Sequence, residues 1–232
     1  MQSAQRYPRD YDGIIAAAPA MDWAELVIGN IWAGVVMDAN KQYPRGCELD
    51  ELTKRGVLAC DRLDGVEDGL IADTEACRAK FDPFDHVNST FQCAETGKEM
   101  QISHGAANIA NAVWSGPTTT KGEFIWYGFE IGTDLKTIAP TTCDNTTCTS
   151  DNTGALELMY EFFVGTDDSL SNTTLQQEDF DFLAWNIKKT LAGNAEANIT
   201  NLDEFQRVGG KMLTFHGLVR HSPRLHDHSA NS

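Results

Sequence analysis

The sequence has little positive charge and no long apolar run. Its 232 residues carry 18 Lys and Arg against 34 Asp and Glu, which gives a formal net charge of −16 at pH 7. A surface of that sign repels phosphate backbones, so the composition argues against a nucleic-acid partner. No apolar stretch approaches the length that a membrane-spanning helix needs, so the sequence also predicts no membrane partner.

The cysteines lack the C-x-x-C spacing that is typical of zinc clusters. Their even number, six, favours disulfides formed in an oxidising compartment. Four N-glycosylation sequons, at Asn88, Asn145, Asn172 and Asn198, agree with a secreted protein. The sequence opens on the polar stretch MQSAQRYPRD and not on a signal peptide. We therefore expect a secreted, extracellular protein whose signal peptide is missing from this chain.

Two short apolar runs lie far apart in the sequence. The run at 11–20 does not alternate between apolar and polar residues, which predicts a strand covered on both faces. A second buried strand is predicted at 207–217, after a Gly-Gly turn. The residues between them predict an α/β core with a large domain inserted between two parallel strands. Helices are predicted at 23–42, 48–63, 154–164 and 176–192, and a hairpin within 113–132.

Four blocks of sequence carry a family resemblance. In order, they are SAQRYPRDYDGIIAAAPA, CELDELTKRGVLACDRLDGVEDGLI, WSGP and GGKMLTFHG. The most specific motif is C-D-x-x-D-G-x-x-D-G-x-I, which Cys60 to Ile71 match. Together the blocks resemble the fungal tannase and feruloyl esterase family, from residue 1 to about 217. The resemblance implies a partial α/β-hydrolase core with a large inserted lid domain.

The resemblance also implies a division of the chain into domains. Residues 1–42 are expected to belong to the hydrolase core, and 43–205 to form the lid with its calcium loop and disulfides. Residues 206–217 are expected to return as a core strand. The tail 218–232 is expected to diverge from the family and to be disordered.

The resemblance implies a serine carboxylic ester hydrolase that cleaves small phenolic esters, galloyl or feruloyl. The family's serine elbow is expected upstream of Met1, and no G-x-S-x-G occurs elsewhere in the sequence. Arg220 occupies the expected position of the triad aspartate, and the catalytic histidine is absent. His216 is expected to be structural. We therefore expect a fragment that is inactive as written, or, alternatively, a secreted calcium-binding or recognition module derived from the lid.

The loop that follows Cys60 suggests a metal site. The resemblance implies one structural calcium ion, held by the side chains of Asp61, Asp64 and Asp68 and by the carbonyls of Val66 and Leu70. Oxygen ligands suit calcium and argue against zinc. A partial EF-hand starting at Asp64 is a second interpretation, but Val66 then stands where a side-chain oxygen is needed. A plain turn with solvated aspartates is the third.

The resemblance further implies a disulfide between Cys60 and Cys77, across the calcium loop. Many pairings of six cysteines are possible. We expect a local bridge Cys143–Cys148, which leaves Cys47 to pair with Cys93. Four aromatic residues are candidates for stacking on a phenolic ring or, equally, for the lid core: Trp114, Trp126, Tyr127 and Trp185.

Overall fold

The computed structural model describes residues 1–144, 147–151, 176–191, 197–199 and 201–217. The helix predicted at 154–164 and the tail 218–232 lie outside the described residues. The helices are α1 Gln2–Arg6, α2 Trp23–Asn40, α3 Gly46–Cys60, α4 Thr74–Lys80, α5 His104–Ser115, α6 Leu135–Ile138, α7 Gln177–Leu191 and α8 Asp203–Arg207. The strands are β1 Gly13–Ala17, β2 Thr90–Cys93, β3 Lys98–Gln101, β4 Thr141–Cys143, β5 Cys148–Ser150 and β6 Lys211–Phe215, and short 3₁₀ helices span Asp61–Asp64 and Pro83–His86.

The described residues form two compact units. The first contains Met1–Lys41, Gly116–Gly128 and the described part of Asp151–Gly217; the second contains Gln42–Ser115 and Phe129–Ser150. The first boundary lies within two residues of the predicted end of the core at residue 42. The units otherwise divide the chain differently from the predicted domains, because 116–128 and α7 belong to the same unit as α2. The lid at 43–205 therefore stays a prediction.

Strands β1 and β6 pair in parallel in the first unit, from Gly13 opposite Lys211 to Ala17 opposite Phe215. The parallel pairing of these two distant strands was predicted. Their burial was predicted wrongly: Ile15 is 74% and Leu213 is 61% exposed, and Ala16 is the buried residue of β1. Parallel sheets are ordinarily covered on both faces. Within the described residues this sheet has two strands, and no element covers most of its surface.

Helix α2 forms the core of the first unit. Its apolar residues include a buried run through Ile31–Met37, and its C-terminus is closed by Lys41 in the left-handed conformation. Trp32 packs on Phe180 of α7 with ring centroids 5.1 Å apart. Asp181 on the same helix accepts hydrogen bonds from the backbone and hydroxyl of Thr120. The predicted hairpin at 113–132 is reduced to one bridge, Thr118 with Phe124, since residues up to Ser115 belong to α5.

Helix α3 organises the second unit. Disulfides anchor both of its ends: Cys47 is bonded to Cys93 of β2, and Cys60 to Cys77 of α4. The third disulfide, Cys143–Cys148, closes the β4–β5 hairpin. The structure thus contains all three of the predicted pairs, and no cysteine is free. The fully buried side chains of this unit include Leu49, Leu52, Ile102, Ile109 and Leu135.

The carboxylate of Glu48 joins α3 to α5. Glu48 is 5% exposed, and its two oxygens accept hydrogen bonds from the backbone N–H of Arg45 (3.0 Å) and of Ser103 (2.8 Å). Ser103 in turn caps α5 by accepting from the N–H of Ala106. One buried acid therefore satisfies free backbone donors at the start of two helices.

Candidate functional site

The candidate calcium loop lies in the second unit, between α3 and α4. Helix α3 ends at Cys60, the 3₁₀ helix Asp61–Asp64 follows, and the chain then turns back to Thr74. The disulfide Cys60–Cys77 closes the loop, with the two Cα atoms 5.2 Å apart. The loop is therefore held at both ends before any ligand binds.

Asp61 lies deepest in the loop. It is 8% exposed, and its Oδ1 accepts hydrogen bonds from the backbone N–H groups of Asp68 (3.0 Å) and Gly69 (2.9 Å). These bonds fix the far side of the loop against the end of α3. Asp61 thus shapes the loop, whatever else it binds.

Asp64 and Asp68 each form a local turn. Oδ1 of Asp64 accepts from the N–H of Val66 (2.9 Å), and Oδ1 of Asp68 accepts from that of Leu70 (3.0 Å). The glycine after each aspartate has a positive φ, 91° at Gly65 and 80° at Gly69, which a side chain would disfavour. The repeated Asp-Gly pair therefore bends the chain twice in the same way.

The second oxygen of each of these three aspartates makes no hydrogen bond or ion pair within the described residues. Another carboxylate of the loop, Glu67, is paired with Arg62 at 2.6 Å, and this hydrogen bond raises the pKa of the Arg62 guanidinium. Arg62, the cationic side chain of this loop, is thus paired with Glu67. A net negative charge is left among Asp61, Asp64 and Asp68.

The donor chemistry of the loop fits calcium, but the three carboxylates do not converge on one point in this structure. Among the described residues, the one set of three metal-ligating side chains within 4.8 Å of one another is Cys47, Cys93 and Glu95, whose two cysteines form a disulfide. Val66 and Leu70 are about half exposed, and within the described chain their carbonyls accept no hydrogen bond. Calcium ligation by this loop therefore stays a prediction.

The described residues contain no catalytic triad, and the sequence predicts none for this chain. Arg220, at the expected position of the triad aspartate, lies outside them. His216 follows β6, is exposed, and has its Nε2 3.3 Å from the carbonyl oxygen of Pro19. This is a backbone contact of the strand pair, and no carboxylate or hydroxyl partner of His216 occurs in the part described.

The four candidate aromatic residues have different environments. Trp114 is 4% exposed and meets the ring of Phe81 edge-on, so it belongs to the core of the second unit. Tyr127 is 70% and Trp185 57% exposed, both in the first unit. Trp126 is intermediate and packs edge-on to Tyr127. Tyr127 and Trp185 are thus exposed, although the Nζ of Lys189 lies 4.8 Å from the centroid of the Trp185 ring, whereas Trp114 is buried.

Two features of this region were missed in the sequence. Glu48 was not singled out, although a Glu at the third position of a helix is a known capping signal. Helix α5 was missed because its alanines and asparagines lie in a Gly- and Thr-rich region that resembles loop. Both features support the second unit rather than offering groups for chemistry.

A model of the family described as tannase and feruloyl esterase matches residues 1–223 of this chain. The chain belongs to this family. The match also extends past residue 217, into the segment that was expected to diverge. The predicted membership is therefore confirmed, over a longer stretch than the four sequence blocks had indicated.

The curated relatives of this chain include proteins named as feruloyl esterase and as tannase. The chain is 29% identical over 233 residues to a probable feruloyl esterase of Arthroderma benhamiae, covering 94% of the chain and 40% of the relative. It is 24% identical to a tannase of Aspergillus oryzae, covering 94% of the chain and 43% of that enzyme. The chain thus spans about two fifths of the length of the relatives it matches.

Solved tannase and feruloyl esterase structures have the same fold over this region. The tannin acyl hydrolase of Aspergillus niger superposes with a TM-score of 0.80 at 23% identity, over 93% of this chain and 40% of that one. Feruloyl esterase B of Aspergillus oryzae gives a TM-score of 0.68 at 22% identity, over 94% of this chain and 41% of that one. The predicted α/β class is confirmed by this shared fold, together with the mixed helices and strands of the chain. No helix in the described residues has the length and apolarity to cross a membrane.

Proposed function

We propose that this chain is part of a carboxylic ester hydrolase that cleaves small phenolic-acid esters by a serine mechanism. The observation that carries the proposal is the family match over residues 1–223. Relatives named as feruloyl esterase and as tannase match almost the whole chain, so galloyl and feruloyl esters are both candidate substrates. In such a mechanism a serine attacks the ester carbonyl, a histidine takes the serine proton, and backbone N–H groups bind the oxyanion.

The 232 residues contribute support and not the nucleophile in this proposal. No G-x-S-x-G occurs in the sequence, and Arg220 cannot orient a histidine as an aspartate does. The exposed β1–β6 pair has the apolar character of strands that are covered in a larger sheet. We expect the 232-residue polypeptide by itself to be inactive toward esters.

The loop Asp61–Leu70 binds calcium in a structural role in this account. Three observations support the proposal: the loop offers only oxygen ligands, its three aspartates form no salt bridge within the described residues, and Cys60–Cys77 closes it. Convergence of the carboxylates requires the loop to tighten around the ion. Bound calcium neutralises their charge and holds the loop; it takes no part in ester cleavage.

Secretion is part of the same proposal. All six cysteines are paired in disulfides, which persist in oxidising compartments. The acidic composition suits a small uncharged ester better than a polyanion. The alternative, a calcium-binding recognition module without catalysis, receives no support from a specific observation in the described residues.

The experiment that tests this function compares two proteins on methyl ferulate and methyl gallate. One is the 232-residue polypeptide, and the other is the product translated from the native transcript. Ester cleavage by the native product, abolished by a serine-directed reagent, is the expected result. A native product that binds these esters and cleaves neither would favour the recognition module.

A further inference from the structure

The sequon at Asn88 has a setting unlike that of the other sequon whose asparagine is described. Asn88 lies between the 3₁₀ helix Pro83–His86 and β2, in the second unit. Its φ is 66°, a left-handed conformation that Asn adopts more readily than most residues. The side chain is exposed, and so is that of Thr90, whose hydroxyl completes the Asn-Ser-Thr sequon.

The backbone around Asn88 is fixed while its side chain is left free. The N–H of Asn88 donates to the carbonyl of Ile102 (2.9 Å), and the N–H of Ile102 donates back to the carbonyl of Ser89 (3.0 Å). The Ser89 hydroxyl is turned inward, toward the carbonyl of His86 and the guanidinium of Arg55. Within the described residues, neither the side-chain amide of Asn88 nor the hydroxyl of Thr90 makes a hydrogen bond. A group attached to Asn88 therefore displaces no existing contact.

The sequon at Asn198 differs on each of these points. Its side-chain amide donates to Oδ1 of Asp22 (2.9 Å). Gln5 donates to the carbonyls on either side, those of Ala197 (2.6 Å) and Ile199 (2.9 Å). The asparagines at 145 and 172 lie outside the described residues. Of the two sequons whose asparagine is described, Asn88 is the one whose side-chain amide makes no hydrogen bond within the described residues.

We propose that Asn88 carries an N-linked glycan in the secreted protein. The donor is a lipid-linked oligosaccharide. Its bond between sugar C1 and the phosphate oxygen breaks, the Asn88 Nδ2 forms a bond to C1, the amide proton goes to a base of the transferase, and the lipid diphosphate leaves. The glycan projects into solvent from a rigid turn at the base of the β2–β3 hairpin. The proposal needs export and disulfide formation but not ester hydrolysis.

The test uses the 232-residue chain, exported by a eukaryotic host from a cleavable signal and purified from the medium. Peptide-N-glycosidase treatment in ¹⁸O-water, followed by mass spectrometry, marks each formerly glycosylated Asn as ¹⁸O-labelled Asp. We expect the label on Asn88 in most molecules. A secreted protein whose Asn88 peptide carries no label overturns the proposal, wherever else glycans occur.

Matched variants separate modification from folding. Asn88→Asp keeps a residue that tolerates positive φ. This variant is expected to migrate faster in gel electrophoresis, by the shift that one glycan causes. Thr90→Ala is expected to show the same shift, and Thr90→Ser to show none. Asn198→Gln is the control for the other described sequon, and is expected to leave the Asn88 label unchanged. Retention of the Asn88 label in the Thr90→Ala variant would contradict the proposal.

Discussion

Buried Glu48 links two helices of the second unit. Its two carboxylate oxygens satisfy the backbone donors of Arg45 and Ser103, at the starts of two helices. Removing one partner of a buried hydrogen bond leaves the other unsatisfied, which costs more than the bond itself contributes. The exposed acids that contribute most of the net charge have no such buried donors to satisfy.

We predict that Glu48→Ala lowers the free energy of unfolding by about 1–3 kcal/mol, because two buried N–H groups lose their acceptor. Glu99→Ala is the matched control, since Glu99 is exposed on β3 and its side chain has no partner in the described residues. Urea unfolding followed by circular dichroism measures both variants. Equal stability of the two variants would contradict this role of Glu48.

A substitution at Asp64 distinguishes calcium binding from formation of the turn. Asp64→Asn keeps an oxygen that can accept from the N–H of Val66 but removes a charge that calcium would bind. We predict a lower melting temperature for Asp64→Asn than for the unmutated chain in calcium, and equal values in chelator. Calcium at about 100 times its Kd would add about 2.7 kcal/mol to the unmutated protein.

The control for this measurement is Asp85→Asn, an exposed aspartate of the same unit whose side chain has no partner in the described chain. Its melting temperature is expected to follow that of the unmutated protein in both buffers. If chelator leaves the melting temperature of the unmutated protein unchanged, the loop is only a turn, and the calcium proposal is wrong.

At the scale of elements, disulfides hold the candidate calcium loop and the ends of α3. Cys60–Cys77 closes a sequence separation of 17 residues directly around the loop, whereas Cys143–Cys148 closes a hairpin elsewhere in the unit. Cross-links restrict the unfolded chain more as the closed loop lengthens. The first bridge should therefore matter both for stability and for the cost of ordering the loop around an ion.

We predict that Cys60→Ser with Cys77→Ser lowers stability by about 3 kcal/mol and reduces the rise in melting temperature on adding calcium. Cys143→Ser with Cys148→Ser is expected to leave that calcium-dependent rise unchanged. Differential scanning calorimetry with calcium and with chelator measures both pairs. An equal loss of the calcium response in the two variants would show that Cys60–Cys77 does not pre-order the loop.

Elements with strong periodicity were predictable from the sequence. Helices α2, α3 and α7 lie close to the predicted ranges, because their apolar residues recur at helical spacing. Helix α5 was not predictable in the same way, since small residues give little contrast between its faces. The pairing of β1 with β6 followed from the inserted-domain layout, whereas its exposure depends on what surrounds the sheet.

The candidate calcium loop could likewise be predicted only in part from the sequence. Its residue types indicate a hard cation, but Asp61, Asp64 and Asp68 also accept backbone N–H groups, and the sequence does not tell which partner prevails. Among the pairings of the six cysteines, only Cys60–Cys77 had support from a motif. The buried role of Glu48 depends on Ser103, 55 residues away, and such a contact is invisible to local patterns.

At the scale of the whole molecule, the chain is a member of the tannase and feruloyl esterase family that spans about two fifths of its relatives' length. Its second unit carries the stabilising features described above: the three disulfides, the Glu48 cap shared by two helices and the candidate calcium loop. Its parallel strand pair exposes apolar residues such as Ile15 and Leu213. We propose that these 232 residues stabilise the ester hydrolase of which they are a part, and that they do not supply its nucleophile.

The most direct test of this account is hydrolysis of methyl ferulate and methyl gallate by the product of the native transcript, assayed beside the 232-residue polypeptide. We predict that the native product cleaves at least one ester and is inactivated by a serine-directed reagent, because the family mechanism needs a serine nucleophile. We predict no turnover by the 232-residue polypeptide, since its sequence contains no serine elbow. Turnover by that polypeptide, or a native product that cleaves neither ester, would contradict the account.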